Sequence, residues 1–241
     1  VLFRSQEIKV KAFKIICDNS LLEEKIMIRA KTLTPEEAIG NPEGDDFPLQ
    51  KGKERLMQAE FRGSLGQAFT DRYGDFEGTL NELFSMSLEN NYRRAVFVAG
   101  LNAFLRHLGF AEGTIHCRDK GPSECAKIMA AHIRRRYGLI RIAQIGFQPR
   151  IAEAMAKEFT FRLLDLDPDN IGKNKFGVRV EGPEKTNEAV AWAELLLVTG
   201  TTLVNDTIAS FLKGKHVIFY GTTIAGTASL MGWDRFCARA S

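Results

Sequence analysis

From Leu139 to Ser241 short apolar runs alternate with amphipathic stretches, and few architectures accept that pattern. Residues 142–145, 161–166, 195–198 and 217–220 read as strands, with a brief strand at 178–180. Residues 149–159, 186–193, 204–212 and 225–230 between and after them read as helices. Buried strands of this length alternating with helices build βαβ units around a parallel sheet. The fold class expected is therefore α/β, with a doubly wound parallel sheet in the C-terminal half. The boundary falls near Tyr137-Gly138, which divides the chain into domains 6–137 and 138–241.

The N-terminal half reads differently. The opening Val1-Leu2-Phe3-Arg4-Ser5 has the look of a translated sequencing-adapter tail, and the fold reading starts after it. A helical stretch at 6–22 leads to a short strand at 25–29 and then a polar, irregular loop carrying Pro35, Pro42, Gly44 and Pro48. Residues 55–70 read as two strands joined at Gly63-Ser64-Leu65-Gly66, because glycines supply the positive φ that hairpin turns require. Gly78 and Thr79 open a helix, and Asn90-Asn91 opens another that is apolar nearly all round from 95 to 108. A helix with no polar face is buried on every side. Gly109 suits its C-terminal cap, 114–117 reads as a short strand, and Gly121-Pro122 opens a helix with the inner stripe Ala126, Met129, Ile133 and Tyr137.

Composition narrows the function classes. The 33 Lys and Arg against 30 Asp and Glu leave a net charge of +3, too small and dispersed for a nucleic-acid groove. Arg134-Arg135-Arg136 ends a predicted helix, where it complements the dipole. No apolar stretch approaches the roughly 20 residues of a membrane span, and no secretory leader is seen. A cytoplasmic protein is expected, with self-association left open. Its 4 cysteines, Cys17, Cys117, Cys125 and Cys237, are then free thiols or metal ligands rather than a disulfide scaffold.

Each strong C-terminal strand ends in small or polar residues: Gly146 to Pro149, Asp165 to Asp167, Thr199 to Thr202, and Gly221 to Thr223. Parallel sheets bind ligands at that edge, beside the reversal in strand order. That reversal is expected between the strands ending at Gly146 and Thr199. Gly146, Gln148, Asp165, Asp167, Thr199, Gly200, Thr201, Asn205, Gly221 and Thr222 are the candidate ligand-binding residues there. The first strand is followed by Gly-Phe-Gln-Pro instead of a glycine fingerprint, and no phosphate-binding G-x-x-x-x-G-K-[ST] occurs, so neither NAD nor P-loop ATP is expected. The run from Asp165 to Asn170 is no EF-hand, since Asn170 stands where glycine is wanted and Phe176 where glutamate is wanted. Asp165 or Asp167 is placed to take ribose hydroxyls.

A second cluster lies at Thr114 to Cys125. His116, Cys117 and Cys125 are candidate ligands for a soft or borderline ion, Zn²⁺ or Cu(I). Against that, side chains of consecutive strand residues point to opposite faces, and buried cysteine with incidental histidine is the commoner arrangement. Further upstream, Gln67 to Asp71 and Asp75 to Gly78 set polar groups beyond the hairpin. Asn102 stands on the apolar helix, where a buried amide needs partners and often faces a site. No triad or carboxylate pair is evident, so no nucleophile or general base is assigned.

From about Asp45 to Cys237 the chain resembles the heavy-metal chelation family, a prokaryotic group of largely unknown function. The resemblance rests on Gly66-Gln-Ala-Phe-Thr-Asp71 with Gly78-Thr79-Leu80, Arg94 to Phe97 with Leu101-Asn102-Ala103, and Thr114-Ile-His-Cys-Arg-Asp119. It continues through Leu164-Asp-Leu-Asp-Pro-Asp-Asn-Ile-Gly172, Val198-Thr-Gly-Thr-Thr202, and Phe219-Tyr-Gly221 with Ile224-Ala-Gly226. It implies an enolase-N-like α+β domain followed by a Rossmann-like domain, with a cleft between them that chelates a metal or binds a small ligand. Asn102, Gly146, Asp167 and the turn from Thr199 to Asn205 would line it. The function expected is binding of a small molecule or metal chelate in that cleft. The alternative is an enzyme acting there on a nucleotide-like or heterocyclic molecule.

Overall fold

A computed structural model describes residues 2–29 and 54–241. The polar loop expected around Pro35 to Pro48 lies outside the described residues. Helix α1 (Leu2–Asp18) precedes strand β1 (Lys25–Arg29), which sits in an antiparallel sheet ordered β3-β2-β1-β4, with β2 (Arg55–Phe61), β3 (Ser64–Thr70) and β4 (Phe76–Thr79). Phe61 pairs with Ser64, so the hairpin turns on Arg62 and Gly63, with φ of 47° and 79°. Two positive φ angles in succession are what a two-residue hairpin requires. Gly66, expected in the turn, instead lies in β3 opposite Ala59. Strand β4 was not expected, and it pairs with β1 through Phe76 and Ile28.

Thr79 caps α2 (Leu80–Ser85) through a reciprocal exchange with Glu82. Asn90 caps α3 (Asn91–His107) by accepting from the Arg93 amide. Every residue of α3 from Arg94 to Leu105 is buried. The reason is its position: β2 and β3 cover one side and α8 (Ala225–Met231) packs on another. Phe61, Phe104 and Phe219 are all fully buried in this part of the molecule. Burying each such ring stabilises the fold by about 1.5–3 kcal/mol. The segment 114–117, expected as a strand, belongs to neither sheet; Ile115 exchanges two main-chain hydrogen bonds with Ser241 instead.

Helix α4 (Gly121–Tyr137) starts with Pro122 in its first turn and packs with α5 (Pro149–Glu158) on one face of the second sheet. That sheet has the order β11-β10-β9-β5-β6-β8-β7. Its strands are β5 (Arg141–Ile145), β6 (Thr160–Leu164), β7 (Asn174–Lys175), β8 (Val178–Glu181), β9 (Leu195–Thr199), β10 (His216–Tyr220) and β11 (Arg235–Phe236). All pairs are parallel except β7 with β8. Ala189 of α6 (Thr186–Trp192) and Ala228 of α8 join the core on the opposite face, together with much of α3. The sheet is therefore covered by helices on both faces, as a doubly wound arrangement requires. Strand β5 pairs with β6 on one side and β9 on the other, so the strand order reverses between β5 and β9.

The helix expected at 204–212 is broken. A short α7 (Thr201–Val204) ends at Asn205, and the chain resumes as a 3-10 turn at Ile208–Phe211. Between them Asp206 has φ 59°, a left-handed conformation no helix interior admits. Glycine pays less for that angle, so Asp206→Gly should raise stability by about 0.5–1 kcal/mol, read as an increase in the urea midpoint at unchanged slope.

Candidate functional site

The carboxyl ends of β5, β6, β9 and β10 form one edge of the second sheet, and the ends of β2 and β3 meet it. Phe69 of β3 donates its amide to Thr223 Oγ1 at 3.1 Å. Asn91, at the start of α3, donates to Asp71 Oδ1 at 2.7 Å and to Asn205 Oδ1 at 3.4 Å. Arg94, buried one turn on, holds Asn91 by donating to its Oδ1 at 2.6 Å and also donates to the carbonyls of Leu88 and Val204. The order reversal between β5 and β9 thus lies under groups supplied by the N-terminal half.

The electrostatics of this edge are one-sided. Burial and the charges of Asp165, Asp71 and Asp167 push the Glu54 carboxyl up to about 7. Burial likewise raises Asp165, although Asn170 and the Leu166 amide hydrogen-bond its carboxylate. Tyr220 closes the floor, its hydroxyl donating to the carbonyls of Ile145 at 3.0 Å and Gly146 at 2.6 Å. Its ionisation is pushed far up by burial. Gln144 reaches the same place, with Nε2 donating to the Gly146 carbonyl at 2.9 Å, while its buried Oε1 has no partner among the described residues.

The residues expected from the strand ends divide into two groups. Gly146, Thr199, Asp165 and Asp167 stand at the edge, and Asn205 joins it through Asn91. Gly146, at φ 88°, packs so closely on Thr199 that a Cβ there would lie 2.4 Å from the Thr199 methyl. Thr199 Oγ1 accepts from the Thr201 amide and hydroxyl, which shapes the turn through Gly200. Asp167 accepts from the Asp169 amide at 2.9 Å, and Gln148 caps α5 by accepting from Ile151 at 2.6 Å. Gly221 gives its carbonyl to Arg235 at 3.0 Å. Asn102 and Thr222 are fully buried beneath the edge. The Asn102 amide is shared among the carbonyls of Gln67, Thr222 and Thr223, and its oxygen accepts from Gly226. That amide ties the two halves together.

Two residues of this edge escaped the sequence reading. Glu54 sits in the charged run Lys51 to Arg55, which looks like a solvated stretch, and Asn91 looks like an ordinary helix start. A surface concavity of about 310 Å³ lies apart from this edge, lined by Lys25, Glu77, Gly78, Thr79 and Glu82.

Among the described residues no group of three or more His, Cys, Asp and Glu side chains is disposed to hold a metal ion. His116, Cys117 and Cys125 therefore do not make a three-ligand set. The His116 ring packs edge-on against Phe69, and burial holds its imidazole down at about 4. Cys117 turns toward Gly121, where an added Cβ would approach its own Cβ to 2.9 Å. Neighbours in an extended chain diverge in this way. The Cys125 thiol instead lies near that of Cys237, near enough for each to shift the other's acidity, with Cys117 also within electrostatic reach. The Cys237 thiol is held below its ordinary value, first by the Cys125 thiol, then by Arg235 and the main chain of Gly221 and Ala240.

Comparison with known proteins adds a family. Residues 131–229 match the model of DUF364, described as "Putative heavy-metal chelation". A crystal structure of a protein of unknown function from that family in Pyrococcus horikoshii superposes with a TM-score of 0.57 at 17% identity, covering 90% of this chain and 78% of that one. A second, from Desulfitobacterium hafniense DCB-2, gives a TM-score of 0.48 at 7% identity, covering 74% and 72%. No curated protein matches the chain. The first likeness speaks to the fold: mixed α/β, with one antiparallel and one largely parallel sheet. Over residues 131–229 this chain is thus similar to the DUF364 family, whose description is heavy-metal chelation.

Proposed function

We propose that this protein binds a small cationic ligand, a metal chelate, in the crevice between its two halves at the carboxyl edge of the parallel sheet. One observation carries the reading: burial first, and then the charges of Asp165 and Asp167 from the C-terminal half and Asp71 from the N-terminal half, raise the Glu54 carboxyl to about 7, so acidic groups of both halves gather at this edge. Carboxylates gathered at one edge favour a positive ligand. Because no three such groups among the described residues are placed to share one bare ion, a ligand broader than an ion suits the crevice better. Gly146, Thr199, Gly200, Thr201 and Asn205 would supply its floor and rim, while phosphate-bearing molecules are opposed by the same carboxylates. The cytoplasmic setting belongs to this proposal too.

Titration calorimetry with cationic chelates of divalent metals, set against the free chelators, tests the proposal. Binding that Asp165→Asn weakens about tenfold or more supports it. Chelate affinity unchanged in both Asp165→Asn and Glu54→Gln refutes it.

The same carboxyl sets a pH dependence. A folded-state value near 7 against an ordinary 4.5 means that Glu54 favours the fold while protonated. That contribution is complete below pH 4.5 and is lost as pH rises through 7. Partial exposure reduces the full linkage, leaving about 2 kcal/mol. Glu54→Gln should therefore be about 2 kcal/mol more stable than the parent at pH 8 and equal to it near pH 4, measured by urea unfolding across that range.

A further inference from the structure

Strand β5 lies in the middle of the parallel sheet, where both faces are covered and apolar side chains are expected. Ile142, Ala143 and Ile145 meet that expectation, whereas Gln144, at 0% exposure, does not. Its partners across the sheet are Leu163 of β6 and Leu197 of β9. The amide finds its contacts further along: Nε2 donates to the Gly146 carbonyl at 2.9 Å and approaches the Tyr220 hydroxyl at 3.4 Å. Those contacts fix which way the amide lies, because a carbonyl can only accept and the Tyr220 hydroxyl already directs its proton to the carbonyls of Ile145 and Gly146. Oε1 is then the atom left over, buried and with no partner among the described residues. A buried acceptor in that state weakens the fold, and an apolar side chain among these leucines would not.

Gln144 stands one residue before the end of β5, and the strand order reverses between β5 and β9. Ligands of open parallel sheets sit at such a reversal. We propose that Gln144 is a specificity-determining residue of the crevice: its Oε1 accepts a hydrogen bond from the ligand, which is accordingly a cation presenting N–H groups, such as an amine chelate of a metal. This rests on the chelate-binding crevice proposed above and adds the chemistry of the ligand's surface. A lone acceptor selects a donor, and the gathered carboxylates of the same edge select positive charge. Ammonium, amidinium and metal-bound amine carry both in one group, and a hydrogen bond from a charged donor is the stronger kind. The orphaned oxygen is also held ready. Because Nε2 is tied to Gly146 and the two atoms share one planar amide carbon, Oε1 keeps its place whether or not a ligand is bound.

Two nickel(II) chelates of equal charge test it, the tris(ethylenediamine) complex, which is covered in N–H, and the tris(bipyridine) complex, which has none. Calorimetric titration of the full chain and of Gln144→Met should show that the variant binds the ethylenediamine complex about tenfold or more weakly, the loss of one hydrogen bond from a charged donor. Its affinity for the bipyridine complex should equal that of the parent. An equal effect of Gln144→Met on both complexes overturns the role of Gln144 and leaves the crevice standing, whereas binding of neither complex by the parent overturns both. Unfolding in urea without ligand supplies a second reading. Methionine fills the same space without an acceptor to satisfy, so the midpoint of Gln144→Met should match or exceed that of the parent. A lower midpoint would mean that the amide serves the fold and not a ligand, and would overturn the proposal.

Discussion

Replacing Asn102 by aspartate should lower stability by about 3–5 kcal/mol, among the largest effects of any single substitution in this chain. The Asn102 amide nitrogen donates to Gln67 O at 2.8 Å, Thr222 O at 3.1 Å and Thr223 O at 3.2 Å, and its oxygen accepts from Gly226 at 2.7 Å. The side chain is wholly buried. Aspartate keeps the shape and the acceptor but turns a donor shared by three carbonyls into a charge facing them. A buried charge without a partner costs several kcal/mol or forces the group to hold its proton. Asn102→Ala should cost about 3 kcal/mol, by stranding the Gly226 amide and opening a void. Aspartate is thus expected to be the worse of the two at pH 8 and to recover part of the gap near pH 4, where it takes up a proton. Urea unfolding of both variants at the two pH values measures this. Equal losses at both pH values would mean that the amide's donors are not what holds the halves together.

That residue also shows where sequence reading succeeds and stops. A polar amide on a helix apolar all round must find partners, and it does; which partners was hidden, because they are main-chain groups 35 and more residues away. The C-terminal alternation was legible because each strand and helix there carries its own local signal. The order reversal between β5 and β9 followed from the same βαβ logic. Strands β4, β7 and β11 were not legible: they have 4, 2 and 2 residues and exist only through pairing with a neighbour. The break at Asp206 was hidden for the converse reason, since the apolar spacing of 204–212 continues through a residue whose backbone leaves the helix. In the candidate sites, strand ends announced Gly146, Thr199 and Asp165. Glu54 did not announce itself, because burial of a charged residue is a tertiary fact.

Gly66 supplies the second large effect. An added Cβ would stand 2.2 Å from the Ala103 nitrogen, 2.5 Å from the Ala99 oxygen and 2.7 Å from the Asn102 carbonyl carbon. All three are main-chain atoms of α3, so no side-chain rotation relieves them, and the helix must lift from β3. Overpacking against fixed backbone should make Gly66→Ala cost about 3–5 kcal/mol, a fall in Tm of about 6–15 °C for a chain of this size. The natural control is Gly63, three residues earlier, whose φ is 79° and around which nothing lies within 4 Å. Gly63→Ala meets only the penalty of the left-handed backbone, about 1–2 kcal/mol. The two glycines look alike in the sequence, yet one turns the hairpin and the other admits a helix. Lifting α3 also loosens Asn102 from Gln67, so Gly66→Ala and Asn102→Ala should be clearly less than additive when combined. Calorimetric Tm values for the two singles, the double and the Gly63 control decide the matter. Full additivity would show that the close approach at Gly66 and the Asn102 clasp are separate supports and not one joint.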